Sequence, residues 1–337
     1  MSLIVGNTFR EPPFVLRERL RQTAYFATRF PGKIGFKAMA YRLQPDARDL
    51  NLASIIRDAA VQYFQEKRIS WHTHSNHALS SQVCCLNFLL PLAENPAVLS
   101  RIVGAALGIA APVMLPVEQG PGGQPWFIGF EWNGCRDYLN EGSRTRGANS
   151  TSADAVVRFQ NAGAIETLLI EWKYTETYGS PIPPAGNPTR TKRYQYIAFS
   201  PRGPVRNTLG LNLQDFFYEP FYQLLRQQML AFQMQQSKED GAERVRVLHI
   251  APAANRKLKK VTSPALARLG DNAFTVFQSL LRCPEDFVSR STETLFGPTI
   301  MGLKHESEWA RYISQRYAFL FDPVVAIAEP TSNTVGV

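Results

Sequence analysis

Apolar residues recur at three- and four-residue spacing through LASIIRDAAVQYFQEKR (52–68), HALSSQVCCLNFLLPL (77–92) and PAVLSRIVGAALGIA (96–110), the spacing that lays one apolar stripe along an α-helix. The first third of the chain therefore reads as helical. VEQGPGGQPW (117–126) breaks the pattern with three glycines and two prolines, which predicts an exposed loop. Beyond it, PWFIGFEW (125–132), ADAVVRF (153–159) and ETLLIEWKYTE (166–176) are rich in β-branched and aromatic residues and predict strands. YGSPIPPAGNPTR (178–190), with four prolines and two glycines, predicts a long surface excursion. A helix is expected over 219–236, with Pro220 in its first turn and Phe221, Leu224, Leu225 and Phe232 on its buried stripe. A strand follows over 244–252, and 263–282 and 306–321 read as helical. The domain division is a helical region over 1–120, an α/β core over 121–255 and a helical region over 256–337.

The two strands around QNAGA carry the chemistry. Asn161 to Ala164 can close a tight turn with Ala162 and Gly163 at its centre. Cross-strand partners then have numbers that sum to 325, which sets Asp154 opposite Glu171 on one face; a loop one residue longer would shift them to a diagonal. Period-two alternation puts Lys173 on the face of Glu171, while Leu168, Ile170, Trp172 and Tyr174 point to the other side as core. On this reading one face is buried and the other holds ions. Like charges about 5 Å apart across a ladder destabilise a sheet unless something neutralises them, and a hard divalent cation with oxygen ligands does so. Solvated surface charges are the plainer alternative. Against it, Lys173 alone among ten lysines has an acidic residue two positions before it.

Charge and cysteine usage narrow the setting. Lys and Arg number 37 against 28 Asp and Glu, a net charge of +9 that attracts polyanions and makes nucleic acid the first partner to consider. Hydrophobic residues at 45% exclude a disordered chain. Cys84, Cys85, Cys135 and Cys283 lack the spacing of a zinc ribbon or redox motif, which suits a reducing cytoplasm. No signal-type segment or spanning apolar run is present, so neither export nor membrane insertion is expected.

With Asp154 opening one strand, Glu171-Trp172-Lys173 ending the next, and a helix and a strand following, the arrangement resembles the PD-(D/E)XK nuclease superfamily. Ala153 stands where the motif has proline. Longer stretches, WHTHSNHALSSQVCCLNFLLPL (71–92) and RGANSTSADAVVRF (146–159), resemble a bacterial family classed with restriction endonucleases in that superfamily. The resemblance implies an α/β, restriction-endonuclease-like core with a mixed central sheet flanked by helices, and helical N- and C-terminal regions. It implies Mg²⁺, or Mn²⁺, held by Asp154, Glu171 and the Trp172 carbonyl, with Lys173 positioning water or neutralising developing charge. It also implies hydrolysis of DNA in restriction or defence, alone as a homodimer or with a methyltransferase or other defence-system subunit.

Glu131 is a further catalytic candidate from the first strand. Arg144, Arg146 and Asn149, just before Asp154, and Gln223, Arg226, Lys192 and Arg193 are candidate DNA contacts, with Gln227 a further polar group on the helix of Gln223 and Arg226 that can lie near the site; an ordinary solvated surface is the alternative for each. His72, His74 and His77 could bind a transition metal, but no acid or cysteine in their segment completes a shell, so a hydrogen-bonded helix start or a DNA-contacting loop is the expectation. The rival functions are a non-catalytic nucleic-acid-binding protein on the same fold and a hydrolase built on the histidines.

Overall fold

A computed structural model describes residues 13–148, 150–179, 181–206 and 208–322. In chain order the elements are α1 (Pro13–Arg29), α2 (Arg57–Glu66), α3 (Ser81–Leu89), α4 (Pro96–Leu107), β1 (Val113–Leu115), β2 (Glu118–Gln119), β3 (Pro125–Trp126) and β4 (Ile128–Trp132). Then come β5 (Ala153–Asn161), β6 (Ala164–Trp172), α5 (Asn187–Ala198), α6 (Phe221–Gln236), β7 (Arg244–Ala251), α7 (Ala273–Leu280), β8 (Phe287–Ser291), α8 (Thr292–Leu303) and α9 (Glu308–Arg316). Local chemistry explains several boundaries. The Asn95 side chain accepts from Val98 N with Pro96 in the first turn of α4, and Gly108 at φ 67° closes that helix.

Six strands form one mixed sheet, in the order β1-β5-β6-β7-β8, with β4 also pairing β5. β5 and β6 are antiparallel, and their partners run from Asn161↔Ala164 to Ala155↔Ile170, the register expected from the turn. Ala162 and Gly163 both have positive φ, at 48° and 90°, as a two-residue hairpin turn of the right twist requires. β7 and β8 add in parallel, so the chain must cross over between β6 and β7; α5 and α6 lie in that crossover. This mixed sheet between helical layers is the α/β architecture expected of the chain.

Both faces of the sheet are covered. Leu168, Ile170 and Trp172 join one core with the helices of the first third and the C-terminal α8 and α9. Leu169 and Val156 join a second core with α5, α6 and α7. The face that carries Asp154, Glu171 and Lys173 is therefore not a solvated ion face: it packs on α6 along most of its length and opens only at the end of the strands. Trp172 anchors that end from the opposite side, 1% exposed, with its ring 5.0 Å from Phe88 and 5.6 Å from Phe296. Burying a side chain of that size contributes roughly 2–3 kcal/mol and holds its two charged neighbours in register.

Several local expectations change. The 117–126 loop contains a short hairpin, with Glu118 paired to Trp126 and Gln119 to Pro125. The proline-rich excursion ends in α5, because Pro188 suits a first helical turn and Tyr194, Ile197 and Ala198 supply a buried stripe. Phe232, expected on the buried stripe of α6, is only half-buried, and Gln227 and Gln228 are buried instead. Within 263–282 the α-helix begins only at Ala273, and β8 extends the sheet past residue 255, as β1 does before residue 121. Among the described residues no helix is long and apolar enough to cross a membrane.

Candidate active site

One row across the sheet brings the acidic residues together. The β4–β5 register pairs Phe130 with Ala155 and Trp132 with Ala153, which leaves Glu131 level with Asp154. On the other side of β5, the hairpin register continued by one residue sets Glu171 level with Asp154, and Glu171 pairs His249 on β7. Trp172 N donates to Asp154 Oδ2 at 2.6 Å. Glu171 is 2% exposed and is ion-paired with Lys173 while Gln227 of α6 donates to it. Asp154, Glu171, Lys173 and Gln227 wall a cleft of about 360 Å³, which Glu131, Ser152, Glu176 and Gln223 also line.

The electrostatics follow from crowding in a dry corner. Burial pushes the Asp154 carboxyl well above its ordinary range, the Glu171 carboxylate adds to this, and Lys173 opposes it. Glu131 is raised as well, first by burial and then by Glu171, against the pull of His72 and of the Gln82 hydrogen bond. Burial works against the charge on Lys173, but Glu171 chiefly, with Tyr178, Glu176 and Asp154, outweighs it and holds the ammonium charged. Backbone strain marks the same place: Glu131 sits at φ 51°, a left-handed conformation that costs a non-glycine residue on the order of 1 kcal/mol. Gln82 Nε2 at 2.7 Å and Ser152 Oγ at 3.4 Å hold its carboxylate toward the cleft.

The donor set suits a hard cation. It is all oxygen: the Asp154 and Glu171 carboxylates and, one strand over, that of Glu131. Two carboxylates are enough for an ion that keeps several of its waters. Among the described residues no three His, Cys, Asp or Glu side chains converge as a metal group, and the three histidines have separate occupations. His72 faces Glu131 at 3.5 Å, His74 Nδ1 meets Arg42 at 3.1 Å, and His77 Nδ1 accepts from Leu79 N.

The candidate DNA contacts divide. Gln223 and Arg226 do line the cleft, although Arg226 is ion-paired with Glu141 at 3.1 Å and Gln223 accepts from Tyr178 Oη. Arg144 is exposed and donates to the Gly134 carbonyl. Lys192 and Arg193 lie on α5 and do not line the cleft, and Asn149 lies outside the described residues. Arg146 departs most from expectation. Its guanidinium, 14% exposed, pairs with Glu118 at 3.1 Å and donates to Tyr63 Oη and the Phe130 carbonyl, so it ties the loop before β5 to α2 and β4. Arg146→Ala is expected to lower unfolding free energy by about 3 kcal/mol, because Glu118 would be left half-buried with its main partner gone. Denaturant melts would check this, and a loss of DNA affinity at unchanged stability would contradict it.

Gln82 escaped the strand-centred reading, and Gln227, a candidate on the helix after the hairpin, lies at the site rather than on an ordinary helix surface. Gln82 and Gln227 are 2% and 1% exposed, and each serves a carboxylate of the row. Their signal is the isolated amide on an otherwise apolar helix face, where a polar group stays only if it is bonded. Glu141 was also missed: it accepts from Thr151 N and Oγ1, Tyr194 Oη and Arg226, and so joins the cleft rim to α5 and α6.

A family described as "Restriction Endonuclease associating with ARP" matches residues 19–318, nearly the whole described chain. The chain belongs to this family. No curated protein and no solved structure matches it. As a member of a restriction endonuclease family the chain is restriction-endonuclease-like in kind, and the matched span includes every residue of the acidic row as well as Lys173.

Proposed function

We propose that the chain is a metal-dependent DNA endonuclease that hydrolyses phosphodiester bonds in restriction or defence against foreign DNA. The observation that carries this reading is the meeting of Asp154, Glu171 and Lys173 on one wall of one cleft, with the Trp172 main chain between them. Membership of the restriction endonuclease family supports it, and so does the net charge of +9. Mg²⁺ is the proposed ion, with Mn²⁺ as a substitute of the same oxygen preference, held by Asp154, Glu171 and the Trp172 carbonyl. Bound there, the ion would lower the pKa of its water and offset charge on the phosphate.

The protein's own groups have distinct parts in this reading. The Lys173 ammonium, which pairs with Glu171 on the same wall of the cleft, would neutralise the charge that develops on the scissile phosphate. Gln227 keeps Glu171 aimed into the cleft, and Gln82 does the same for Glu131, which supplies a further carboxylate at the rim. Arg226 and Gln223 offer donors to the substrate backbone. The family description names association with ARP, so a protein partner belongs to the proposal; a homodimer or a partner methyltransferase would serve a double-strand cutter in the same way.

The test uses unmethylated plasmid and phage DNA, with wild type and Lys173→Ala, in Mg²⁺ or in EDTA, and with the partner co-expressed. Wild type is expected to cut in Mg²⁺ and not in EDTA, and the variant to cut about 10²–10³-fold more slowly in Mg²⁺. Cutting that resists EDTA, or equal cutting by both proteins, removes the proposal. DNA retained but intact under every condition would favour a non-catalytic binding protein instead.

A further inference from the structure

The cleft does not end at its acidic wall. A second groove of about 710 Å³ adjoins it, and the two share His72, Ser81, Gly147, Ala148 and Glu176, so they form one continuous depression. Past the shared wall the groove is bounded by Trp71, Thr73, His74, His77, Leu79 and Thr175. This is the histidine segment that the acidic row leaves without a role.

Two properties of this groove point to the same ligand. The first is an uncompensated cation. Arg42 stands behind the groove rather than in its lining: its Nη2 meets His74 Nδ1 at 3.1 Å in an exposed contact, and it pairs with no carboxylate among the described residues. The imidazole of His77 feels that field: burial first, then Arg42, His74 and Arg19, push its pKa down to about 4, so it stays neutral. The second property is an apolar flank, made by Leu79 and the half-buried indole of Trp71, which stacks on Phe64 at 4.0 Å. A cationic point next to an apolar wall is what one nucleotide needs, with its phosphate on the first and its sugar or base on the second.

The segment is also held in place before any ligand arrives. Asn51 Nδ2 bonds the carbonyls of Ser75 and His77 at 2.7 and 2.9 Å, Asn76 Nδ2 bonds the Leu43 carbonyl, and Ser70 N bonds that of Arg146. Little conformational freedom remains to be lost on binding. Resting on the nuclease reading above, we propose that this groove seats the nucleotide adjoining the scissile phosphate on the cleaved strand, with its phosphate on Arg42 and His74 and its sugar and base against Trp71 and Leu79. The phosphate it takes lies on one side of the cut, because the groove adjoins the cleft through one shared set of residues.

The experiment measures kcat/KM in Mg²⁺ on a defined duplex, and on duplexes with a neutral methylphosphonate at either phosphate next to the cut. Thr73 is exposed at the groove and can carry a filling side chain, and His74 is exposed as well. Methylphosphonate on one side only is expected to lower wild-type kcat/KM by about tenfold, the worth of one charge-assisted hydrogen bond. Thr73→Trp should lose about as much on unmodified DNA, and His74→Ala should lose its sensitivity to the methylphosphonate, both with unchanged melting temperature. If wild type cuts but both variants match it on every substrate, the groove assignment is overturned while the nuclease reading stands. If wild type leaves all the DNA intact in Mg²⁺, the nuclease reading falls and takes this inference with it.

Discussion

Replacing Lys173 by alanine is expected to cut metal-dependent DNA hydrolysis by about 10²–10³-fold with little change in duplex affinity, since the lysine acts on charge that appears only in the transition state. Asp154→Asn should abolish turnover as well, but for a different reason, and stability separates the two. Asp154 stands level with Glu131 and Glu171, and burial and the Glu171 charge raise its carboxyl pKa. A carboxyl raised in the folded state contributes stability that is fully present below its unfolded pKa and is lost as pH rises through the folded value. Without metal, ionising Asp154 among these acids therefore costs the fold stability. Asparagine keeps an acceptor for Trp172 N and removes the charge. The expected result is a higher melting temperature for Asp154→Asn than for wild type in EDTA, and a wild-type melting temperature that rises with Mg²⁺ while that of the variant does not. A variant less stable than wild type in EDTA would contradict the picture of crowded acids awaiting a cation.

The second large effect is expected far from the cleft. Arg316 is 2% exposed, yet it meets no carboxylate among the described residues. Its guanidinium donates to Gln22 Oε1 at 3.1 Å, to Tyr312 Oη at 2.6 Å and to both the carbonyl and the side-chain oxygen of Asn51. The rings of Tyr25, Phe26, Tyr312 and Tyr317 lie 5.1 to 5.9 Å from its central carbon. One side chain on α9 thus closes the N-terminal helix, the Asn51 turn and the C-terminal end around a buried charge. Arg316→Met fills much of the space but leaves those acceptors dry and unpaired, at a cost of about 3–5 kcal/mol. A fall in Tm on the order of 10 °C is expected, and Arg316→Lys should not restore it because an ammonium cannot reproduce the planar fork. A methionine variant that melts within about 2 °C of wild type would show that the buried network contributes no net stability. Asn51 also holds the Ser75 and His77 carbonyls, so the groove beside the cleft should loosen along with the fold.

Much of the acidic row was legible before any coordinates, because its cause is local. A two-residue turn at Ala162-Gly163 and period-two alternation are set by neighbouring residues, and together they determine the register that puts Asp154, Glu171 and Lys173 on one face. The main helices and strands were legible for the same reason: each announces itself by the spacing of its own apolar residues. Where a local signal was mixed, as in the proline-rich 178–190 stretch, the helix α5 was hidden, since its start depends on a buried stripe that only α6 and the second core provide.

Packing alone fixes the partners that meet across long stretches of chain. Gln82 reaches Glu131 over 49 residues, Gln227 reaches Glu171 over 56, and Arg146 turns inward to Glu118 and Tyr63 instead of outward to DNA. β8 joins the sheet through β7 alone, and Glu131 takes its strained backbone where β4 meets Asp154. Such contacts leave no periodic trace in the chain, because a buried polar group needs only one correctly placed partner, and the fold alone settles which distant residue that is. The hairpin and its charged row follow from neighbouring residues; how deep that row is buried, what orients it and which groove adjoins it follow from packing.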